Sequence, residues 1–481
     1  MKRESFIKSF MTIGIATVIN LAVGFITTPI ITRIVEPYEY GQFSIFTMYT
    51  SLALMILTFG LDQSFVRFFY VADEIEYKRK LIAEVTLIPL VGTIIFLAFA
   101  LFLVINRIIT LKFGVICSVL LAFNILFAVL YRFSSLLLRL NNSNRVYAVT
   151  QVLHKVCYVV IAIVLLVPFK IGGIISLSLA IVITTAICYI VPLLYSREYI
   201  PRINDYKKIS KIEELQLLKY GLPFILSAGI TTVFQSLDKL ALDYYRSYSE
   251  VGVYSSAMTF VTLFSVIHTS FNVIWAPRSV EHYENAPNDK SFFDKAFNLM
   301  TVIMFSFGIA LIMFKDLFAL LLGEKYREAA YIMPFLMFYP IMYTVSEITV
   351  CGVDFMKKST LHIIIAACAC VTNFIGNNLL VPNIGCKGAA ISTGVSYIVF
   401  FVLRTVLGEH YYYVGFSKIR FFIITLVCLV YALLNTFLEF GLWSIIAAIV
   451  CYTVIFCCYK KTIVWACKYI TYRIGNWVKC K

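Results

Sequence analysis

The chain has 481 residues, 61% of them hydrophobic and 14% charged, with a formal net charge of +15. Soluble domains carry nearer 25% charged residues, so an ordinary globular enzyme is excluded, and solid apolar runs without alternation exclude a membrane β-barrel. Between Ile13 and Tyr459 a stretch of roughly twenty apolar residues and a short polar break recur about fourteen times, each long enough to cross a bilayer core as a helix. The predicted fold class is all-α, a polytopic membrane protein of about 14 transmembrane helices.

The basic segment Met1 to Phe10 precedes an apolar stretch too long for a signal-peptide core, with no small-residue cleavage site behind it, and reads as a retained signal anchor. The predicted spans cover 11–32, 42–60, 82–105, 113–136, 147–167, 172–195, 220–242, 252–275, 294–314, 330–353, 360–381, 386–408, 419–438 and 441–459. No polar break is long enough for a catalytic domain in water. The longest, 196–219, carries a capping box (Ser210 with Glu213) and apolar residues at Ile209, Ile212, Leu215 and Leu218, the pattern of an amphipathic helix on the cytoplasmic surface.

That linker separates an N-terminal lobe (1–195) from a C-terminal lobe (220–410), followed by helices 13 and 14 and a basic tail (411–481). Glu39-Tyr40-Gly41 and Glu250-Val251-Gly252 are 211 residues apart, and Pro168 of VPFKIGG and Pro382 of VPNIGCKG are 214 apart. Near-constant offsets predict two six-helix lobes of parallel topology, the repeat logic of secondary transporters. About 31 of the 41 Lys and Arg residues fall on alternate breaks, which places both termini in the cytoplasm and turns the excess charge away from a nucleic-acid role. The thirteen cysteines are scattered with no paired C-x-x-C set, so neither a metal site nor a disulfide framework is expected. Trp465, Tyr469, Tyr472 and Trp477 among the cations of the tail suit anchoring at the membrane surface.

There is no P-loop, dinucleotide fingerprint, H-E-x-x-H or G-x-S-x-G, so no catalytic residue is assigned. The chemistry left is charge within or at the ends of spans, which is costly in lipid and marks a water-filled path. Lys239 and Lys155 are expected to face a lumen, with Arg67, Arg33, Arg139 and Arg278 as further cations near span ends. Asp238 is adjacent to Lys239, about 100° around the helix, and so meets a different partner; Asp62, five residues before Arg67 and about 140° around the helix, likewise meets a different one. Glu84, Glu347 and Asp354 are the carboxylates placed for ion coupling or for pairing helices. Asn20, Asn124, Gln151, Gln235, Asn272, Asn373, Asn377 and Asn378 are expected to join helices through hydrogen bonds. The basic balance within spans suits a phosphate-bearing substrate.

Four stretches carry a family resemblance: Pro29 to Phe69, Gly221 to Ala257, Phe271 to Glu281 and Asn373 to Tyr397. They resemble the bacterial polysaccharide-biosynthesis flippases of the multidrug/oligosaccharidyl-lipid/polysaccharide (MOP) superfamily. The resemblance implies two six-helix lobes around a cationic cavity, two extra helices, and alternating-access translocation of undecaprenyl-diphosphate-linked oligosaccharide across the bacterial cytoplasmic membrane. It implies no cofactor beyond a proton or sodium gradient. Its partners would be membrane lipids and the lipid-linked oligosaccharide, with glycosyltransferases and a polysaccharide polymerase as protein partners of a monomer. Asp238-Lys239 holds the place of the family's aspartate–arginine pair, with a lysine that keeps the charge but lacks the bidentate fork. The alternatives are a multidrug or cation antiporter of the same superfamily, against which Lys239 and fourteen spans argue, and a membrane polysaccharide polymerase, which would need a larger outer loop.

Overall fold

The computed structural model describes residues 3–105, 113–207, 209 and 211–479, and all regular structure among them is helical. The chain forms two compact units, Met1–Leu240 with Ser247–Gly252, and Ala241–Arg246 with Val253–Lys481.

The first unit contains α1 (Arg3–Ile34), α2 (Pro37–Leu57), α3 (Leu61–Phe68), α4 (Ile75–Ile105), α5 (Gly114–Leu140), α6 (Asn144–Leu166), α7 (Gly173–Tyr195), α8 (Ile203–Lys207) and most of α9 (Lys211–Tyr245). Within it α5 packs on α7 and α4, α6 on α7 and α1, and α2 on α5 and α7. Pro37 opens α2, where a missing N–H costs nothing. Glu39 in the same turn accepts a hydrogen bond from the Gly173 N–H (2.7 Å) that starts α7, a carboxylate on the positive end of a helix. Phe59 and Gly60, both at positive φ, break α2 from α3 and turn Asp62 inward.

Gly41 and Gly252 meet at close range in this unit. A Cβ on Gly41 would fall on the carbonyl of Tyr248, and a Cβ on Gly252 on the carbonyl of Pro37. The contact is reciprocal, since Pro37 and Tyr248 are separated by the same 211 residues as the two glycines.

The second unit contains α10 (Tyr248–Leu263) beyond its first turn, α11 (Ser265–Asn285), α12 (Ser291–Met313), α13 (Lys315–Leu321), α14 (Ala329–Leu336), α15 (Phe338–Thr349), α16 (Cys351–Phe355), α17 (Thr360–Tyr411), α18 (Lys418–Phe437) and α19 (Leu442–Lys479). Here α15 packs on α17, α12 on α15 and α19, and α14 on α17 and α18. The 52 residues of α17 would reach about 78 Å if straight, more than twice a bilayer core. Gly385 (φ 55°, ψ −135°) folds the helix back on itself. Asn373 then bridges the two arms, donating to Thr393 Oγ1 (3.2 Å) while its carbonyl accepts from Ser392 Oγ (2.8 Å). A side chain at Gly385 is disfavoured by the backbone, so Gly385→Ala is expected to cost about 1–3 kcal/mol, read as a lower thermal midpoint in detergent.

Among the described residues 11 helices are long and apolar enough to cross a membrane, or up to 12 if the bent pair α10–α11 is one span. Fourteen were expected from sequence. Part of the difference lies in α17, which fuses two expected spans across its fold at Gly385. The surface helix expected over 209–219 is also not separate: α9 starts at Lys211 and runs on, with Pro223 inside it, to Tyr245. The capping residue Ser210 lies outside the described residues. The break at 315–329 is folded, with Lys315 fully buried beside Asp316 (3.3 Å) and over the Tyr331 ring (4.5 Å). Burial lowers its pKa below the usual lysine value, against the pull of Asp316.

Candidate substrate site

The polar face of α5 repeats at helical spacing: Asn124, Tyr131, Arg132, Ser135 and Arg139. It meets Thr47, Thr50 and Ser51 of α2 and Tyr147, Gln151 and His154 of α6 around a cavity of about 690 Å³ inside the first unit. A neighbouring cavity of about 510 Å³ shares Ser51, Leu54, Gln63 and Arg132 with it.

Hydrogen bonds set this lining in place. Asn124 Nδ2 donates to Thr50 Oγ1 (2.9 Å), His154 Nε2 contacts Thr185 Oγ1 (3.3 Å), and the Tyr131 ring stacks on His154 (5.4 Å). Arg132 donates through Nη2 (2.6 Å) and Nε (3.2 Å) to a single oxygen of buried Asp62. The other Asp62 oxygen accepts from the Gln63 N–H (3.0 Å). Tyr70 donates to the Leu140 carbonyl (2.6 Å), and burial raises its pKa despite the opposing charge of Arg139. No acidic side chain is among the residues lining the 690 Å³ cavity, so Arg132, anchored by Asp62, and Arg139 give it a positive interior.

The expected site residues are dispersed over both units. Arg139 lines the cavity because α5 extends to Leu140, beyond the span end expected at 136. Asp62 pairs with Arg132, a partner on another helix. Lys155 is exposed on α6 and lies outside the cavity lining, whereas its neighbour His154 is within it. Lys239 is half-buried on α9 beside buried Asp238. Arg33 and Arg67 are exposed in the last turns of α1 and α3, and exposed Arg278 pairs with Glu281 (3.3 Å). Buried Glu84 lies 3.6 Å from Lys80, which also holds Glu213 at 2.6 Å, so this group ties α4 to α9. Asp354 is exposed and contacts His362 (2.8 Å).

Glu347 is at the centre of a charged cluster in the second unit. Arg404 Nη1 donates to its Oε1 (2.7 Å) and to Ser346 Oγ (2.8 Å), and His268 Nε2 lies 3.9 Å from the same Oε1. Trp275 Nε1 donates to the Glu347 carbonyl (3.2 Å), and Arg404 lies over the rings of Phe400 (5.1 Å) and Tyr343 (5.7 Å). Sequence reasoning singled out neither Arg132 nor Arg404 nor His268. The eight- and seven-residue steps from Asn124 to Arg132 to Arg139 were the available signal for the first.

The family described as polysaccharide biosynthesis protein matches residues 6–283, more than half of the chain. A search of curated proteins gives no match. Among solved structures, the inward closed conformation of the lipid II flippase MurJ is similar over 95% of this chain and 99% of its own, with a TM-score of 0.70 and 14% identity. An inward-facing multidrug resistance MATE family transporter of the MOP superfamily is similar over 82% of this chain and 94% of its own (TM-score 0.57, 16% identity). A MOP superfamily transporter from Pyrococcus furiosus, described with a binding pocket of reverse polarity, covers 84% and 95% (TM-score 0.50, 14% identity). At these identities the likeness is one of fold. With its multi-pass helices and this transporter fold, the chain belongs to the polysaccharide biosynthesis protein family.

Proposed function

We propose that the protein is a flippase that carries undecaprenyl-diphosphate-linked oligosaccharide from the cytoplasmic to the outer leaflet of a bacterial cytoplasmic membrane by alternating access, with both termini in the cytoplasm. The observation that carries the proposal is the cavity of the first unit, lined by Arg132 and Arg139 among polar neutral groups, with no carboxylate in its own lining and Asp62 holding Arg132 from outside it. A diphosphate crossing a low-dielectric slab needs fixed cations to offset its lost hydration, and guanidinium forks match phosphate oxygens two at a time. Asp62 keeps Arg132 oriented while leaving nearly half of its side chain exposed (44%), so the guanidinium can still receive an anion. Tyr131 and Gln151 add neutral polar groups. A drug-cation exporter would present the opposite charge.

Lys239, Lys155, Arg67, Arg33 and Arg278 lie outside the lining of this cavity and are proposed as further cations for the substrate; a proton or sodium gradient would drive transport. Glu347, Glu84, Asp62, Asp238 and Asp354 are its helix-pairing or coupling carboxylates.

Sealed vesicles holding labelled lipid-linked oligosaccharide test the proposal, by the rate at which label becomes accessible at the far leaflet. Loss of a charge-assisted hydrogen bond removes about 1.5–3 kcal/mol, so Arg139→Ala is expected to slow that rate by on the order of ten-fold or more. Arg139→Lys should recover part of it. An unchanged rate in Arg139→Ala and Arg132→Ala together would reject the cavity as the headgroup site.

A further inference from the structure

Nine of the twelve residues of α15 are buried. The three that are not, Tyr339, Tyr343 and Glu347, follow one another at four-residue steps and so form a single stripe. A stripe turned to hydrocarbon would be aliphatic; two tyrosines and a carboxylate along the second half of an apolar span, Ala329–Thr349, mark a wet path instead. The rings of Tyr339 and Tyr343 are 6.2 Å apart, and Phe400 continues the surface at 5.7 Å from Tyr343. The stripe ends at Glu347, Arg404 and His268.

We propose that this stripe is a platform on which pyranose rings stack. The C–H face of a pyranose is apolar and matches the negative face of an aromatic ring, while its hydroxyls need polar groups at the edge. Charge decides between possible ligands. Glu347 is already paired with Arg404 at 2.7 Å, so the end of the stripe offers no free carboxylate for a drug cation and no free guanidinium for an anion. The ligand class is thus the neutral sugar portion of a glycolipid. The inference rests on the flippase reading only for which lipid presents those sugars.

Photoreactive octyl glycosides test it, with a diazirine at the carbon next to the sugar and glucose, galactose or N-acetylglucosamine as the head. The comparison probe has the same chain on tetraethylene glycol. With the full-length protein in sugar-free nanodiscs, at least one glycoside is expected to label residues 338–349 five-fold or more above the glycol probe, as read by peptide mass spectrometry. Tyr343→Leu should abolish that excess, whereas Tyr343→Phe, which keeps the ring, should stay within two-fold of the unaltered protein. If Tyr343→Leu does not fold, Tyr339→Leu makes the same comparison. Equal labelling by glycol and all three glycosides, or undiminished labelling of the leucine variant, overturns the inference. Ring-dependent labelling without translocation of lipid-linked oligosaccharide would overturn the flippase reading alone. Translocation by a protein that shows no ring-dependent labelling would overturn this one alone.

Discussion

Arg404→Met is expected to cost the fold about 3–5 kcal/mol, the loss that follows when one partner of a buried ion pair is removed and the other stays behind. Both side chains are well inside the unit, at 7% and 14% exposure, so water does little to screen the stranded Glu347. Arg404 also supports Ser346 and the rings of Phe400 and Tyr343, and those contacts go with it. Glu347→Gln should be milder, because the amide oxygen can still accept from Arg404. The double change Arg404→Met with Glu347→Gln should recover much of the single Arg404 loss, since no uncompensated charge remains. Thermal unfolding of the four proteins in one detergent forms the double-mutant cycle that measures this coupling. A double variant no more stable than Arg404→Met would show that packing, and not the stranded carboxylate, sets the cost.

Gly41→Val and Gly252→Val are expected to be comparably severe. At each position the obstacle to a new Cβ is a main-chain carbonyl, which cannot rotate away as a side chain can. Relief requires α2 and the start of α10 to move apart, and overpacking of this kind typically costs about 1–3 kcal/mol for a single added group, more where backbone faces backbone. The two changes share one contact, so the double variant should cost less than the sum of the two. Yield of monodisperse protein after gel filtration, together with its thermal midpoint, checks both statements. A stable, full-yield Gly41→Val would mean that the segments do not touch.

The membrane class was legible because apolar runs of a span's length, repeated along a whole chain, can be kept from water only by lipid. The turn at Gly385 was legible as a break between the two spans expected at 360–381 and 386–408. Asp62 was recognised as needing a partner away from Arg67, but the partner was not identifiable, because Arg132 follows 70 residues later and meets it only through tertiary packing. The same holds for Arg404, which sequence alone groups with cytoplasmic cations until the fold brings it to Glu347. Lys155 shows the opposite limit. Depth along a helix can be read from the chain, but which side of α6 is inward cannot, and the cavity is lined by His154 and Gln151 instead. The four-residue spacing of Tyr339, Tyr343 and Glu347 went unnoticed in the sequence, because only the burial of everything else on α15 gives it meaning.

Ser247–Gly252 belongs to the first unit although it follows the last residues of α9, which belong to the second. During synthesis the ribosome must therefore run past Leu240, and past six residues destined for the other unit, before the first can bury its α2 surface. A nascent chain halted at 240 still lacks Gly252 to set against Gly41, and domain-by-domain folding in order of translation is incomplete until that turn emerges.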